Sequence, residues 1–302
     1  MPAPIPPPDS SGFTTSTDVP LYWAAYGEPD APPLLVLHGG PGADQAYLLP
    51  QMLRLMGPEG AASRRLLFYD QRGGGQSKTH DRTPITWRTH VEDLRRVTVE
   101  LGVEEPSLVG YSWGGLLAML YAIETAREGA PRRLVLVDPA PVTREYRARF
   151  EGEFARRQGA DAVRAMREEL AASGLRERDP AAYRQRAFEL SVAGYFADPR
   201  RARDLTPFRV VGRVQQSVWE SLGDYDLIPR LGAIQCPTLV VHGREDPIPL
   251  ASSEAAARAI PGASLVILDD CGHVPYVEAP DALFAAVDRF LLAASPHHGS
   301  HA

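Results

Sequence analysis

A serine between glycines lies near the middle of the chain, in Gly-Tyr-Ser-Trp-Gly at residues 110–114. The pattern G-x-S-x-G places a nucleophilic hydroxyl on a sharp turn between a strand and a helix, where glycines leave room for the bend. An apolar run precedes this segment, and a run rich in Leu, Ala and Met follows it. The helix that begins after the serine then favours negative charge at the reacting centre. Ser112 is therefore predicted to be a catalytic nucleophile.

A serine hydroxyl needs a general base, and the base needs a group that orients it. His273 follows the last apolar run of the chain, and Asp246 follows the run before it. Because the carboxyl ends of parallel strands meet at one edge of a sheet, both side chains are expected beside Ser112. We predict His273 as the base and Asp246 as the orienting acid. Asp138 and Glu245 are alternative acids, and a helix-capping role is the alternative for Asp246.

Attack on a carbonyl group creates an oxyanion, which backbone N–H groups can bind. We predict one N–H group from Trp113 and the other from Gly40, in the His-Gly-Gly-Pro-Gly segment at residues 38–42. The alternative for this segment is a plain Gly-Pro turn. His38 and His242 each precede a glycine at a strand end and are predicted to orient loops by hydrogen bonds.

A second glycine-rich segment, Asp-Gln-Arg-Gly-Gly-Gly-Gln-Ser, occupies residues 70–77. No Gly-Lys-Ser/Thr follows, so a phosphate-binding loop is excluded, and a turn that supports the oxyanion segment is predicted. Two cysteines, Cys236 and Cys271, are too few for a disulfide scaffold or a zinc cluster. Cys271 is expected to pack beside the base rather than react. The predicted chemistry needs no metal and no cofactor.

The elements that must position these residues are short apolar runs that alternate with helical patterns. The runs are almost continuously apolar, as strands buried on both faces must be. They occupy residues 34–37, 65–70, 107–112, 133–138, 237–243 and 264–270. Helical patterns cover 86–101, 113–127 and 281–292, and residues 17–27 are expected to add antiparallel edge strands. This alternation predicts an α/β fold with a mostly parallel sheet covered by helices on both faces.

The domain organisation follows from where this alternation stops. Residues 141–232 lack strand patterns and are punctuated by prolines, so they are predicted to form a helical cap inserted into the core. The core is predicted to comprise residues 13–140 and 233–294. Residues 1–12 are rich in proline and are predicted to be a disordered arm, and residues 295–302 a flexible tail.

Composition limits the class of protein. The 302 residues are 44% hydrophobic and 23% charged, as in soluble globular proteins. With 32 basic and 38 acidic residues, the net charge of −6 does not favour nucleic acid as a partner. There is no apolar run of about 18 residues to span a bilayer and no secretory signal pattern, and the cysteine content favours a cytoplasmic location. We expect a small peptide or small-molecule substrate and no membrane partner, and the oligomeric state is left open.

The motifs HGGPG at 38–42, DQRGGGQS at 70–77 and GYSWGG at 110–115 together resemble the proline iminopeptidase family of serine α/β-hydrolases. The order Ser, Asp, His along the chain is the one that α/β-hydrolases use. The resemblance covers about residues 20–140 and 233–292 and weakens across the predicted cap, where the family also has a helical cap. It implies a cofactor-free enzyme that removes a free N-terminal residue, often proline, through an acyl-enzyme.

The resemblance also implies carboxylates that bind the substrate's amino group, because an unpaired buried charge is costly. One branch of the family has a cap glutamate in a Trp-Glu-Gly context, to which Trp219-Glu220-Ser221 is similar. Glu220, with Trp219 beside it, is therefore the candidate amine site, the alternative being an exposed residue of the cap. The chain lacks the second half of the larger branch's cap, which carries that branch's second glutamate. It departs from the smaller branch at Pro247, where that branch has a glutamate. When the cap is aligned without gaps back from Asp246, it also departs at Gln216, where that branch has its other glutamate.

Three functions are compatible with these residues. The first is an aminopeptidase of the proline iminopeptidase type. The second is a carboxylesterase, lactonase or amidase for a small apolar substrate, which needs no acidic anchor. The third is a ligand receptor on the same fold, which does not require an intact set of nucleophile, base and acid. Aromatic residues of the predicted cap either line an apolar substrate pocket or pack the cap: Tyr195, Phe196, Phe208 and Trp219.

Overall fold

A computed structural model describes residues 4–57, 64–80, 82–103 and 105–293. Among these residues, eight strands form one sheet: β1 Ser10–Phe13, β2 Tyr22–Tyr26, β3 Pro33–Leu37, β4 Arg65–Tyr69, β5 Ser107–Tyr111, β6 Arg133–Val137, β7 Thr238–Gly243 and β8 Ser264–Leu268. Their order across the sheet is β1-β2-β4-β3-β5-β6-β7-β8. The β1–β2 and β2–β4 pairs are antiparallel, and all later pairs are parallel.

The central strands are buried because nearly all of their side chains are apolar. Every residue of β6 and β7 is buried, as expected for strands covered on both faces. All six predicted strands form, and the predicted edge segment supplies β2. The polar residues that follow β5 and β6, Ser112 and Asp138, stand just beyond the strand ends. The predicted α/β architecture is therefore confirmed.

Helices cover both faces of the sheet and fill the insertion. They are α1 Trp87–Glu100, α2 Trp113–Glu124, α3 Arg144–Gln158, α4 Asp161–Ala172, α5 Leu175–Arg178, α6 Pro180–Val192, α7 Gly212–Leu222, α8 Leu250–Ala259, α9 Pro275–Glu278 and α10 Pro280–Leu292. The Thr86 side chain caps α1 by accepting a hydrogen bond from the Thr89 N–H. Helix α2 is apolar around its whole circumference and is almost entirely buried. Within the described ranges, no helix has the length and apolar character that crossing a membrane requires.

The prediction of a disordered arm over residues 1–12 is wrong for its last three residues. Ser10 pairs with Ala25, and Gly12 pairs with Trp23, in the antiparallel β1–β2 ladder. The Asp9 carboxylate extends this contact by accepting a hydrogen bond from the Gly27 N–H at 2.7 Å. Backbone pairing to an existing edge forms this strand, although its own side chains carry little strand pattern. Residues 1–3 and the predicted tail at 295–302 lie outside the described residues.

The insertion at residues 141–232, called the cap below, contains helices α3 to α7 and no strand. The chain enters and leaves the cap at one place on the core. The Leu227 N–H donates to the Val142 carbonyl at 3.0 Å, and Thr143 forms an antiparallel bridge with Asp226. From this base the cap extends over the carboxyl ends of the parallel strands.

Candidate active site

Ser112 occupies the turn between β5 and α2 with φ 53° and ψ −118°. This positive φ is rare for a residue with a side chain and costs about 1–3 kcal/mol of strain. The turn forms only because its neighbours are glycines. A Cβ atom on Gly110 would lie 2.4 Å from the Gly114 carbonyl oxygen, and one on Gly114 would lie 2.2 Å from the Leu37 carbonyl oxygen. The sharp turn places the Ser112 hydroxyl at the edge of the sheet.

The structure brings the three predicted catalytic residues together. His273 Nε2 lies 3.0 Å from Ser112 Oγ, and His273 Nδ1 lies 2.8 Å from Asp246 Oδ2. Asp246 Oδ1 accepts a hydrogen bond from the Ile248 N–H at 2.7 Å, which fixes the carboxylate. Because Nδ1 faces a carboxylate, it carries the ring proton, and Nε2 is left to accept the serine proton. This arrangement can activate a serine for attack on a carbonyl carbon.

Two tyrosines enclose the ring of His273. The Tyr195 ring, from the cap, stacks on it with centroids 5.1 Å apart, and the Tyr111 ring lies 5.3 Å away. The Tyr195 carbonyl accepts from the His273 N–H at 2.7 Å, and the Tyr111 hydroxyl donates to the His273 carbonyl at 2.9 Å. Burial lowers the pKa of His273, so the ring is neutral near pH 7. Tyr111 directly precedes the serine, and its contact with His273 was not predicted from the sequence.

Neither alternative acid forms the hydrogen bond to the imidazole. Glu245 is exposed, whereas Asp246 is buried. Asp138 has an oxygen within 4.8 Å of the His273 ring, and its Oδ1 accepts from the Gly243 N–H at 2.8 Å. Asp246 does not cap α8, because Pro249 holds the N-cap position of that helix. Asp246 is therefore the carboxyl group that binds the imidazole.

One group of potential metal ligands lies in the described part of the chain. Oxygen or nitrogen atoms of Asp138, Asp246 and His273 all lie within 4.8 Å of one another. A metal ion there would replace the hydrogen bond that turns His273 Nε2 toward Ser112, so these residues fit a proton-sharing group better. Cys271, predicted to pack, is fully buried, and burial raises the pKa of its thiol.

Two backbone N–H groups border the cavity beside Ser112, those of Gly40 and Trp113. Neither donates a hydrogen bond to an acceptor in the described ranges. Gly40 adopts φ +62°, a conformation that favours glycine. Trp113 is the first residue of α2, where the helix dipole favours negative charge. Both predicted donors are thus available to an oxyanion.

Gln71 connects the two segments that carry these donors. Its Nε2 donates to the His38 carbonyl at 2.9 Å, and its Oε1 accepts from the Trp113 indole N–H at 2.8 Å. The Gln71 backbone N–H donates to His38 Nε2 at 3.1 Å, and His38 Nδ1 donates to the Gly39 carbonyl at 2.8 Å. These bonds agree with the predicted supporting role of residues 70–77. This role of Gln71 was not predicted from the sequence, where the position of Gln71 just after β4 was the available signal.

A cavity of about 760 Å³ lies between the core and the cap and reaches Ser112. Three of the four cap aromatics line it, Tyr195, Phe208 and Trp219, whereas Phe196 packs in the core. Aromatic side chains form much of the wall: Tyr47, Tyr111, Phe150, Phe154, Tyr195, Phe208 and Trp219. The size and lining are typical of a site for a small ligand.

The cavity also has a charged wall, formed by the cap. Arg147 lies 4.2 Å from the centroid of the Trp219 ring, and that ring packs against Trp113 at 5.5 Å. Glu151 forms ion pairs with Arg147 at 2.8 Å and Arg144 at 3.6 Å. The two arginines therefore share one acidic partner on this wall.

Glu220 is an exposed residue of the cap, as its alternative prediction stated, and it also lines the cavity. Its Oε1 accepts a hydrogen bond from the Gln216 side-chain amide at 2.7 Å. Among the described residues that line the cavity, Glu220 is the acid that forms no ion pair with a basic side chain. A cationic group entering the cavity can therefore bind its carboxylate. Trp219, also predicted for this site, lines the same wall.

Residues 34–287 match the sequence profile of the alpha/beta hydrolase family. This match spans most of the chain, and the sheet order and the serine turn described above agree with it. The chain belongs to the alpha/beta hydrolase family.

Individual proteins and solved structures are also similar to this chain. The proline iminopeptidase of Lactobacillus helveticus (strain DPC 4571) is 25% identical over an alignment of 296 residues. This alignment includes 89% of this chain and 93% of that protein. The crystal structure of the Mycobacterium smegmatis proline iminopeptidase matches with TM-score 0.66 and 22% identity, covering 93% of this chain and 97% of that chain. The enol-lactonase from Burkholderia xenovorans LB400 matches with TM-score 0.64 and 23% identity, covering 93% and 100% respectively. The resemblance predicted from the three motifs is confirmed, and the solved structures show the shared fold.

Proposed function

We propose that this chain is a serine hydrolase that releases the N-terminal residue of a short peptide, as a proline iminopeptidase does. One observation carries the proposal. The hydrogen-bonded chain from Ser112 through His273 to Asp246 borders a cavity whose wall presents Glu220 without a basic partner among the described residues. A substrate ammonium group needs such a carboxylate, because its burial without one is costly. Relatives that carry the name proline iminopeptidase support the same substrate class.

In the proposed mechanism, Ser112 Oγ attacks the scissile carbonyl carbon while His273 Nε2 takes the hydroxyl proton. Asp246 stabilises the imidazolium through Nδ1–H, and the N–H groups of Gly40 and Trp113 bind the oxyanion. His273 then gives its proton to the leaving amine, and the N-terminal residue stays on Ser112 as an ester. Water, deprotonated by His273, hydrolyses this ester and restores the free serine.

The substrate's amino group is proposed to bind Glu220. Trp219 precedes Glu220 on α7 and packs against Trp113, so the amine site and the oxyanion site are connected by direct contact between two rings. The hydrogen bond from Gln216 fixes one carboxylate oxygen of Glu220 and leaves the other for the ammonium group. This arrangement supports one charged anchor rather than two.

A second candidate is a carboxylesterase or lactonase. The observation that favours it is Gln216, which stands where a second acidic anchor is expected from the resemblance. The rest of the wall is largely aromatic, and a neutral ester or lactone needs no carboxylate to bind there. The enol-lactonase with the same fold shows that this architecture accommodates such chemistry.

One assay at neutral pH distinguishes the aminopeptidase from the carboxylesterase or lactonase. Wild type and Ser112→Ala are each given prolyl and alanyl p-nitroanilides, the same compounds N-acetylated, and p-nitrophenyl butyrate. We expect turnover of the free-amine anilides, loss on acetylation, and a decrease of about 10⁴-fold or more in Ser112→Ala. Turnover of the ester alone, still dependent on Ser112, would contradict the aminopeptidase and support the second candidate.

The amine anchor is tested by Glu220→Gln. Because Glu220 is exposed, loss of its ion pair with the ammonium group is expected to cost up to about 1 kcal/mol and to raise KM for the free-amine anilide up to about fivefold. Ester turnover should not change, because the ester carries no ammonium group. Glu145→Gln is the matched control, since Glu145 is an exposed acid on cap helix α3 and does not line the cavity. An unchanged KM in Glu220→Gln would exclude Glu220 as the amine site.

A further inference from the structure

A second buried carboxyl group, Asp138, lies close to Asp246 and His273. Asp138 is fully buried, and Asp246 is 7% exposed. A carboxyl oxygen of Asp138 lies within 4.8 Å of a carboxyl oxygen of Asp246. Two carboxylates this close cannot both be charged away from water, because burial and mutual repulsion both oppose it. The pair therefore holds one proton between its two carboxyl groups.

The hydrogen bonds around the pair decide which carboxyl group holds the proton. Asp246 receives two N–H donors, from Ile248 at 2.7 Å and from His273 Nδ1 at 2.8 Å. Asp138 receives one, from Gly243 to its Oδ1 at 2.8 Å. Asp138 Oδ2 is buried and accepts no hydrogen bond from the described residues. Donated hydrogen bonds stabilise the charged form, so the charge belongs on Asp246 and the proton on Asp138 Oδ2.

His242 lies beside Asp138 and does not supply this proton. Its Nδ1 lies 3.5 Å from Asp138 Oδ1, but its Nε2 lies 3.1 Å from the Ile248 carbonyl, which can only accept. Burial lowers the pKa of His242 to about 4, so the ring is neutral and its one proton is on Nε2. The Ser253 hydroxyl then donates to Nδ1 at 2.9 Å. Tyr111, Cys271 and Tyr276 also interact with Asp138, and burial raises the pKa of each, so they stay neutral. Asp138 must carry its own proton.

The backbone directs Asp138 toward the pair. Asp138 follows β6 with φ 41°, in the left-handed region, and its N–H donates to the Val241 carbonyl at 2.8 Å. Asp and Asn tolerate this conformation better than most residues with a side chain. Only a residue that tolerates a positive φ can therefore replace Asp138 without also straining the backbone.

We propose that Asp138 is a positioning residue that stays protonated and donates a hydrogen bond from Oδ2 to the Asp246 carboxylate. The inference rests on the proposed serine chemistry. The donated bond holds Asp246 in the orientation that accepts the His273 Nδ1 proton, and His273 Nε2 then faces Ser112. A neutral side-chain amide can donate the same hydrogen bond. Position 138 therefore requires a hydrogen-bond donor. A negative charge at this position would repel the Asp246 carboxylate.

The test measures the rate at which a fluorophosphonate labels Ser112, which reports the nucleophile without any choice of substrate. Wild type is compared with Asp138→Gly, Asp138→Asn and a control, Asp270→Gly. Glycine accepts a positive φ, so Asp138→Gly removes the carboxyl group without backbone strain. Asp270 is the matched control because it follows β8 with φ 52°, is exposed and lies outside the pair.

We expect Asp138→Gly to slow labelling about 10- to 100-fold, as loss of an orienting partner does, and Asp138→Asn to recover the rate to within about threefold of wild type. Asp270→Gly should label as wild type does. An equal decrease in the labelling rate of Asp138→Asn and Asp138→Gly would show that an amide cannot replace the carboxyl group and would overturn the inference. An unchanged labelling rate in Asp138→Gly would overturn it as well. Circular dichroism melting confirms that each variant is folded. If Asp138→Gly does not fold, a loss above about tenfold in folded Asp138→Asn overturns the inference.

The same experiment separates this inference from the function on which it rests. A folded wild type that is not labelled at all would refute the serine chemistry itself. A labelled wild type, with both Asp138 variants equally slow, would refute only the role of Asp138.

Discussion

At the scale of single residues, Gln71 holds the two proposed oxyanion donors in one relative position. Its amide contacts the His38 carbonyl on one side and the Trp113 indole on the other, and its exposure is 1%. A buried polar group that loses its partner costs about 1–3 kcal/mol, so these contacts resist displacement. The position of both N–H groups before the reaction begins therefore depends on one side chain.

Gln71→Met is expected to lower kcat about 10- to 100-fold with a smaller change in KM, because oxyanion donors act mainly in the transition state. Steady-state kinetics on the preferred substrate measure both constants. Gln76→Met is the control, since Gln76 is exposed on the same turn. A rise in KM with kcat unchanged would mean that Gln71 only shapes the substrate pocket.

The sequence was sufficient to predict Ser112, Asp246 and His273, because each lies at or within five residues of the end of a strand that its apolar run identifies. It was not sufficient for Gln71 or Asp138. Gln71 and Trp113 are 42 residues apart in the chain, and only the fold makes them partners. Asp138 was foreseen as a competitor of Asp246, whereas the structure places the two side by side. Contacts between side chains at the ends of different strands depend on the fold, so no local sequence pattern predicts them.

At the scale of elements, a buried ion pair joins α1 to the turn after β4. Arg72 donates to both carboxylate oxygens of Asp93, each at 2.6 Å, and to Asp18 at 2.8 Å. The Arg72 side chain is 3% exposed. Burial raises the pKa of Asp93 to about 6, although Arg72 lowers it. The turn that contains Gln71 is thereby fixed to a helix of the core.

Arg72→Met leaves the Asp93 carboxylate buried without a cation and is expected to cost about 3–5 kcal/mol of unfolding free energy at pH 7. Urea denaturation measures this loss. Arg95→Met is the control, because Arg95 pairs with Glu92 on the surface of α1 and should cost under about 1 kcal/mol. The deficit of Arg72→Met should shrink from pH 8 to pH 5. Arg72 lowers the pKa of Asp93, so its removal raises the folded-state pKa further above the unfolded value than in wild type. As the pH falls, the folded variant therefore binds a proton before wild type does and recovers stability relative to it. A deficit that is the same size as that of Arg95→Met would contradict the role of the ion pair.

The elements differ in how well the sequence predicts them. Strands β3 to β7 are apolar along almost their whole length, so burial alone determines them. β1 is Ser-Ser-Gly-Phe and has an intermediate and exposed alternation rather than a buried face. It forms because β2 has a free edge with which it can pair, and residues 10–13 alone do not predict this pairing.

At the scale of the whole molecule, the cavity lies between two parts of one chain and is of the size that suits a small ligand. For the proposed aminopeptidase, kcat/KM is expected to fall as the peptide lengthens, because residues beyond the cavity gain no contacts and must pass the cap. Release of the N-terminal residue from prolyl-alanine peptides of increasing length, measured by chromatography, tests this. The same peptides N-acetylated are the control. Equal rates on short peptides and on a folded protein with an N-terminal proline would contradict it.

The base of the cap has a consequence for how such enzymes can diverge. Val142 and Leu227 are hydrogen-bonded to each other, so the chain between them begins and ends at one point of the core. The entropy of closing that loop grows only slowly with its length, so the core tolerates a longer, shorter or different segment there. For the proposed hydrolase, we therefore expect that a replaced cap changes the substrate preference while Ser112, Asp246 and His273 stay in place. One condition applies to any replacement, because it must supply the carbonyl oxygen that Tyr195 offers to the His273 N–H.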